Sequence, residues 1–341
     1  ASALSLSARS LGARLVLLAP SAVAVADAPK TEQSDEADKT PTLRLPPAAI
    51  TYHTATLDRE QVSYSAVAGA IKPRDDRGKP TAEIFYVAYN REPEQTSRPI
   101  TFVFNGGPGA ASAYLHLGAI GPKVVETSAV GELIGPPPRL IANDASWIDF
   151  TDLVFVDPVG TGYSRATGSK TDSDFWGVKQ DTDSLAAFIR LYLTQAGRTD
   201  SPVFLTGESY GAFRAATITR KLQKTTGISP SGLVLVSPAL EFALIYGEDF
   251  DPIPWALALP SYKAVKLENE GVATRGELRD ALKDVERYAL TDYLVALASG
   301  TEQGGRIASA RVAELTGISR AEVEKRFARI PLSFFIKEFD R

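Results

Sequence analysis

The strongest constraint on this chain is the run Val203-Phe204-Leu205-Thr206-Gly207-Glu208-Ser209-Tyr210-Gly211-Ala212. An apolar, strand-like stretch meets Gly-Glu-Ser-Tyr-Gly, and the helix-like Ala212-Phe213-Arg214-Ala215-Ala216 follows. Gly-x-Ser-x-Gly between a strand and a helix demands a sharp turn. That turn pushes the serine hydroxyl out at the end of a sheet, with a helix N-terminus behind it. Glycine at 207 and 211 lets strand and helix approach where a Cβ would clash. The bland reading is a glycine-rich turn without chemistry. The flanking pattern favours an exposed nucleophile at Ser209.

The rest of the chain agrees with an α/β architecture. Thr51–Leu57 and Val62–Ala68 flank a polar tetrapeptide and read as a hairpin. Ala82–Tyr89, Ile100–Phe104, Leu153–Val156 and Gly232–Val236 read as further strands. Between Asp181 and Ala196, Leu185, Phe188, Ile189 and Tyr192 recur at helical spacing, with Asp181 and Asp183 near the positive end of that helix. Apolar strands alternating with helices predict a mostly parallel sheet covered on both faces. After Pro238 the β runs stop. Thr274-Arg275-Gly276-Glu277 opens a helix that could run to Ala298, and Ser319-Arg320-Ala321-Glu322 opens another to about Arg329.

The expected organisation is therefore an export signal over 1–28, a disordered leader over 29–48, an α/β core over 49–239 and a helical insertion over 240–341. Arg9, Arg14, the apolar Leu15–Ala19 and small-x-small sites ending at Ala24, Ala26 and Ala28 have the three-part layout of a signal peptide. The segment is shorter than the ~20 apolar residues of a membrane span, so a secreted or periplasmic location is expected, without stable membrane insertion. The net charge is −4 and the basic residues form no stripe, which argues against a nucleic-acid partner. With no cysteine there is neither a disulfide framework nor a thiolate metal site. No metal and no cofactor is implied, and composition sets no oligomeric state.

A serine nucleophile needs a base, an orienting acid and donors for the oxyanion. The Tyr210 N–H, next after the serine, is one donor, and Asn105-Gly106-Gly107-Pro108-Gly109 at the end of a strand offers another. The base is harder to find. The two histidines, His53 and His116, both precede Ser209, whereas this fold orders its triad Ser, acid, His. Either is better read as a packed or surface residue. The economical expectation is a chain that stops inside its helical cap, with the sheet's last strands and the Asp–His pair beyond residue 341.

Three ordered motifs carry a family resemblance: Asn105–Gly109, Asp157-Pro158-Val159-Gly160-Thr161-Gly162-Tyr163-Ser164 and Gly207–Gly211. From about residue 50 to 240 the chain resembles the serine carboxypeptidases (peptidase family S10), most closely their bacterial branch. The resemblance implies an α/β-hydrolase fold with an inserted helical cap, acting on peptide C-termini. It implies Ser209 as nucleophile and the Gly107 and Tyr210 N–H groups as oxyanion hole. It implies that Asn105, Gly106, Glu208 and Tyr163 bind a peptide substrate, with Asn105 and Glu208 on its terminal carboxylate. Two positions depart from the pattern: Val103 stands where eukaryotic members carry tryptophan, and Ala110-Ala111-Ser112 replaces a Cys- or Ser-Ser-Ser run. Two rival functions remain open at this point: an esterase or aminopeptidase on the same fold, and a non-catalytic binding protein with a relic elbow.

Overall fold

The computed structural model describes residues 45–57, 60–128, 131–245, 250–271 and 274–339. The proposed signal and most of the leader lie outside them. The chain divides between Leu240 and Glu241 into two compact units.

In the first unit, the two-residue alternation of the N-terminal segments produces an antiparallel meander. β1 (Ala49–Leu57) pairs with β2 (Glu60–Ile71), and β2 with β3 (Ala82–Arg91). The continuous apolar runs produce the buried strands, as expected of strands covered on both faces. These are β4 (Ile100–Phe104) and, further on, β7 (Asp152–Val156), every residue of which is buried. Between them come one α turn, α1 (Ala113–Leu115), a π turn over His116–Ile120, and a small antiparallel pair, β5 (Lys123–Val125) and β6 (Leu140–Ala142). After β7 the short β8 (Arg165–Ala166) pairs with the start of β3. Then follow α2 (Val178–Gln195), β9 (Val203–Glu208), α3 (Tyr210–Thr225) and β10 (Gly232–Val236).

The sheet order is β1-β2-β3-β7-β4-β9-β10. β3 meets β7 antiparallel, and β7, β4, β9 and β10 run parallel. Phe102, Phe104, Val154, Val156 and Leu205 face α2 and α3, through Leu185, Phe188, Ile189, Ala215, Ile218 and Leu222. Val103, Leu153 and Phe155 face the other way, onto Leu115 and Ile120. Helices thus cover both faces in an α/β-hydrolase fold. α2 begins three residues before the expected Asp181, because Gly177 O already accepts the Asp181 N–H at 2.9 Å.

Parallel strands gather their C-terminal ends at one edge, where open α/β sheets bind ligands. Here that edge carries the loops after β4, β7 and β9. The opposite ends are tied by charge. Arg198 Nη1 donates to Asp152 Oδ2 (2.6 Å) and Nη2 to Arg98 O (2.7 Å), while Arg98 Nε donates to Asp152 Oδ1 (3.0 Å). Arg198 and Asp152 are each about 1% exposed.

The second unit is helical, with its own core. Its elements are α4 (Pro252–Asn269), α5 (Arg275–Tyr288), α6 (Leu294–Ala298), α7 (Thr301–Thr316), α8 (Arg320–Lys325) and α9 (Leu332–Phe339). Leu259, Tyr262, Val285, Tyr293, Val312, Leu315, Val323 and Phe335 meet inside it. The Thr274 and Ser319 hydroxyls accept the Glu277 and Glu322 N–H groups at 3.3 Å, as their capping patterns predict. The helix from Thr274 does reach Ala298, with a π turn over Ala289–Tyr293 inside it. The one from Ser319 stops at Lys325, four residues early, where Phe327 and Ala328 take positive φ.

Candidate active site

Ser209 links β9 to α3 at φ 57°, ψ −122°, a region that L residues enter only under strain. Neighbouring backbone holds it there. Ser209 N–H donates to Val236 O (2.9 Å), and Ser209 O accepts from Ala212 and Ala239 N–H (3.1 and 3.2 Å). The glycines on either side are sterically required. A Cβ on Gly207 would lie 2.0 Å from Gly211 O, and one on Gly211 would lie 2.4 Å from Phe104 O. The elbow is therefore a fixed strand-to-helix turn at the C-terminal edge of the sheet.

The loop after β4 lies directly against it. A Cβ on Gly106 would fall 2.7 Å from Glu208 O, 2.8 Å from Ser209 Cβ and 2.8 Å from Tyr210 N. Gly107 follows at φ 102°. Asn105 is buried and has two jobs: its Oδ1 accepts the Leu115 N–H (2.9 Å) and its Nδ2 donates to Glu208 Oε2 (3.3 Å). The structure thus brings Asn105, Gly106, Gly107, Glu208, Ser209 and Tyr210 into one cluster of adjoining backbone and side chains.

The loop after β7 joins the cluster through Asp157. Its Oδ1 accepts the Ser112 N–H (3.0 Å) and its Oδ2 the Tyr163 N–H (3.3 Å). Burial pushes the Asp157 carboxyl above its usual range, and those two amides pull against the rise. Ser112 Oγ in turn donates toward Val103 O and Val156 O, at the C-terminal ends of β4 and β7. Tyr163 is tied here by its backbone, while its ring, 63% exposed, packs edge-on against Phe85.

Sequence reasoning missed Arg214 and its pairing with Asp181. Arg214 is buried, donates from Nε to Asp181 Oδ2 (2.7 Å) and from Nη1 to Asn105 O (2.8 Å), and stands 5.1 Å from the Tyr210 ring centre. Asp181 does lie in the first turn of α2, as its position predicts, and it is also the buried counter-ion of Arg214. The available signal was periodicity, because an arginine at position 214 shares the core-facing stripe of α3 with Ala215, Ile218 and Leu222.

Neither histidine stands as a base. His116 Nε2 bonds the Tyr89 hydroxyl (2.7 Å) and its ring stacks on Phe155 at 4.4 Å, on the sheet face opposite α3. Burial brings its pKa down to about 4. His53 lies on β1, bonded to Thr51 and stacked on Tyr64. Among the described residues no group of three or more His, Asp or Glu side chains is placed to hold a metal.

The chain resembles known proteins over part of its length. The chain is 31% identical over 201 residues to the pheromone-processing carboxypeptidase KEX1 of Yarrowia lipolytica, covering 58% of this chain and 30% of that protein. It is 27% identical over 191 residues to serine carboxypeptidase-like 45 of Arabidopsis thaliana, covering 54% and 38%. The chain thus spans well under half the length of these relatives. Among solved structures, the prohormone-processing carboxypeptidase Kex1(delta)p of Saccharomyces cerevisiae is similar at 21% identity and a TM-score of 0.44, covering 74% of this chain and 53% of that one. The family model for serine carboxypeptidases matches residues 59–230, half of the chain and the stretch that holds all three loops at the sheet edge. This chain belongs to the serine carboxypeptidase family.

Proposed function

We propose that this chain is the nucleophile-bearing part of an exported serine carboxypeptidase that removes residues from peptide C-termini. Ser209 Oγ attacks the carbonyl carbon of the last peptide bond, and the N–H groups of Gly107 and Tyr210 receive the negative charge on the carbonyl oxygen. The C–N bond then breaks, the amine leaves with a proton, and water releases the acyl group from Ser209. The proton is handled by a His–Asp pair supplied from outside residues 1–341, since His116 is committed to Tyr89 and His53 to the β1–β2 hairpin. Export rests on the N-terminal layout around Arg9–Ala28.

The Asn105–Glu208 hydrogen bond, next to the strained serine, is the observation that supports exopeptidase action. A carboxyl group at a substrate pocket discourages a peptide's terminal carboxylate unless the two share a proton. Asn105 holds Glu208 in place for that pairing. Binding of a free-acid peptide then takes up a proton, so kcat/KM for acids falls as pH rises, while amidated peptides show no such fall. Glu208→Gln flattens the acid profile. The test is kcat/KM against pH on the full-length protein, with paired acid and amide substrates, for wild type, Glu208→Gln and Ser209→Ala. Parallel acid and amide profiles would remove the carboxylate-recognition role, and turnover by Ser209→Ala would remove the nucleophile.

A further inference from the structure

The oxyanion donors proposed above belong to different parts of the chain: Tyr210 opens α3, and Gly107 lies in the loop after β4. Their relative position has to be fixed by whatever spans the two. Arg214 does so from beneath. Its guanidinium donates to the Asn105 carbonyl at the root of the loop (2.8 Å), and it lies against the ring of Tyr210 itself (5.1 Å). Asp181, one hydrogen bond away on α2, holds the guanidinium by its Nε (2.7 Å) and leaves Nη1 aimed at the loop.

The amide planes carry this restraint forward. In a trans peptide the C=O and the following N–H point in opposite directions. With Asn105 O held by Arg214, the Gly106 N–H is turned away from α3. Gly106 O is held in turn by the Ala110 N–H (3.2 Å), which turns the Gly107 N–H out of the loop. A loop built on two glycines has little stiffness of its own, so these bonds set its shape. A planar fork offers N–H groups in fixed directions, so Nε can serve the carboxylate and Nη1 the carbonyl with little freedom lost per bond.

We propose that Arg214, oriented by Asp181, is a positioning residue for the oxyanion hole: it fixes the loop of Gly106 and Gly107 against the elbow without touching substrate. This rests on the reading of Ser209 as nucleophile. Misplacing one donor by about an ångström affects the chemical step far more than ground-state binding, and removal of a donor costs roughly 10²–10³-fold in kcat.

The test uses the full-length protein and two variants. Arg214→Lys keeps the charge beside Asp181 but replaces the rigid fork that joins Asp181 to Asn105 O with a single rotatable ammonium. The double variant Arg214→Met with Asp181→Leu removes both charges and leaves neither one buried alone. Both are expected to melt near wild type, to lose roughly 10–100-fold in kcat on a blocked dipeptide with KM little changed, and to label more slowly at Ser209 with a fluorophosphonate. If Arg214→Lys does not fold, the double variant decides by the same criteria. A folded variant with wild-type kcat and labelling rate would overturn the proposal, as would a loss confined to KM. Turnover that survives Ser209→Ala would instead overturn the nucleophile reading.

Discussion

At His116 burial acts on a titratable ring whose hydrogen-bond partner, the Tyr89 hydroxyl, is neutral. The unfolded chain takes up this proton near the ordinary value of 6.5, the folded chain only near 4. The neutral ring's contribution is therefore complete above pH 6.5, is lost as pH falls from 6.5 to 4, and stays lost below. The shift corresponds to at most about 3 kcal/mol. His116→Gln keeps a group able to bond Tyr89 but does not titrate, so its Tm should decline less steeply than wild type between pH 6.5 and 4. Identical slopes would mean the ring is solvated. At this scale the sequence was informative wherever one residue's geometry decides. Gly207 and Gly211 could be read because no other residue fits the turn. Arg214 and Asp181 could not, because their pairing joins positions on two helices packed by the tertiary fold.

Among the elements, the parallel strands are held at the end remote from Ser209 by Asp152 and its two arginines. Asp152→Ala leaves Arg198 buried without its carboxylate, at a cost of about 3–5 kcal/mol. Its Tm should fall sharply, while kcat of the protein that remains folded should change little, because the network lies at the strand starts. A kcat loss as large as the stability loss would show coupling along the strands. The core strands were legible from their unbroken apolar runs. The helical unit was less so: no separate helix was expected over α4 or α7, which contain Pro252, Pro254 and Pro260, and Gly304 and Gly305, residue types that weaken a helical pattern. The structure uses them differently. Pro252 opens α4, where its missing N–H costs nothing. A Cβ on Gly304 would meet Ala296 O at 1.9 Å, so that glycine allows α6 and α7 to touch.

Across the whole molecule, the sheet runs from β1 to β10 and, among the described residues, each of these two pairs on one side only. β10 is the more exposed hazard, since Leu233, Val234 and Leu235 are 37–39% exposed on an uncharged strand. Unpaired apolar edges recruit other strands. A polypeptide of residues 1–341 alone should self-associate in sedimentation experiments, and Leu235→Lys should reduce the association; a clean monomer without the lysine would show the edge to be harmless. The elbow bears on the stability of the same molecule. Ser209 holds a backbone conformation that suits glycine, at a cost of about 1–3 kcal/mol. Ser209→Gly should melt above Ser209→Ala, since both lack the hydroxyl and only glycine relieves the strain; equal melting temperatures would show the turn to be relaxed. A selection for folded protein alone, blind to turnover, would then drift toward glycine at 209, and the best-folded descendants of this chain would be the ones that had lost the nucleophile proposed for it.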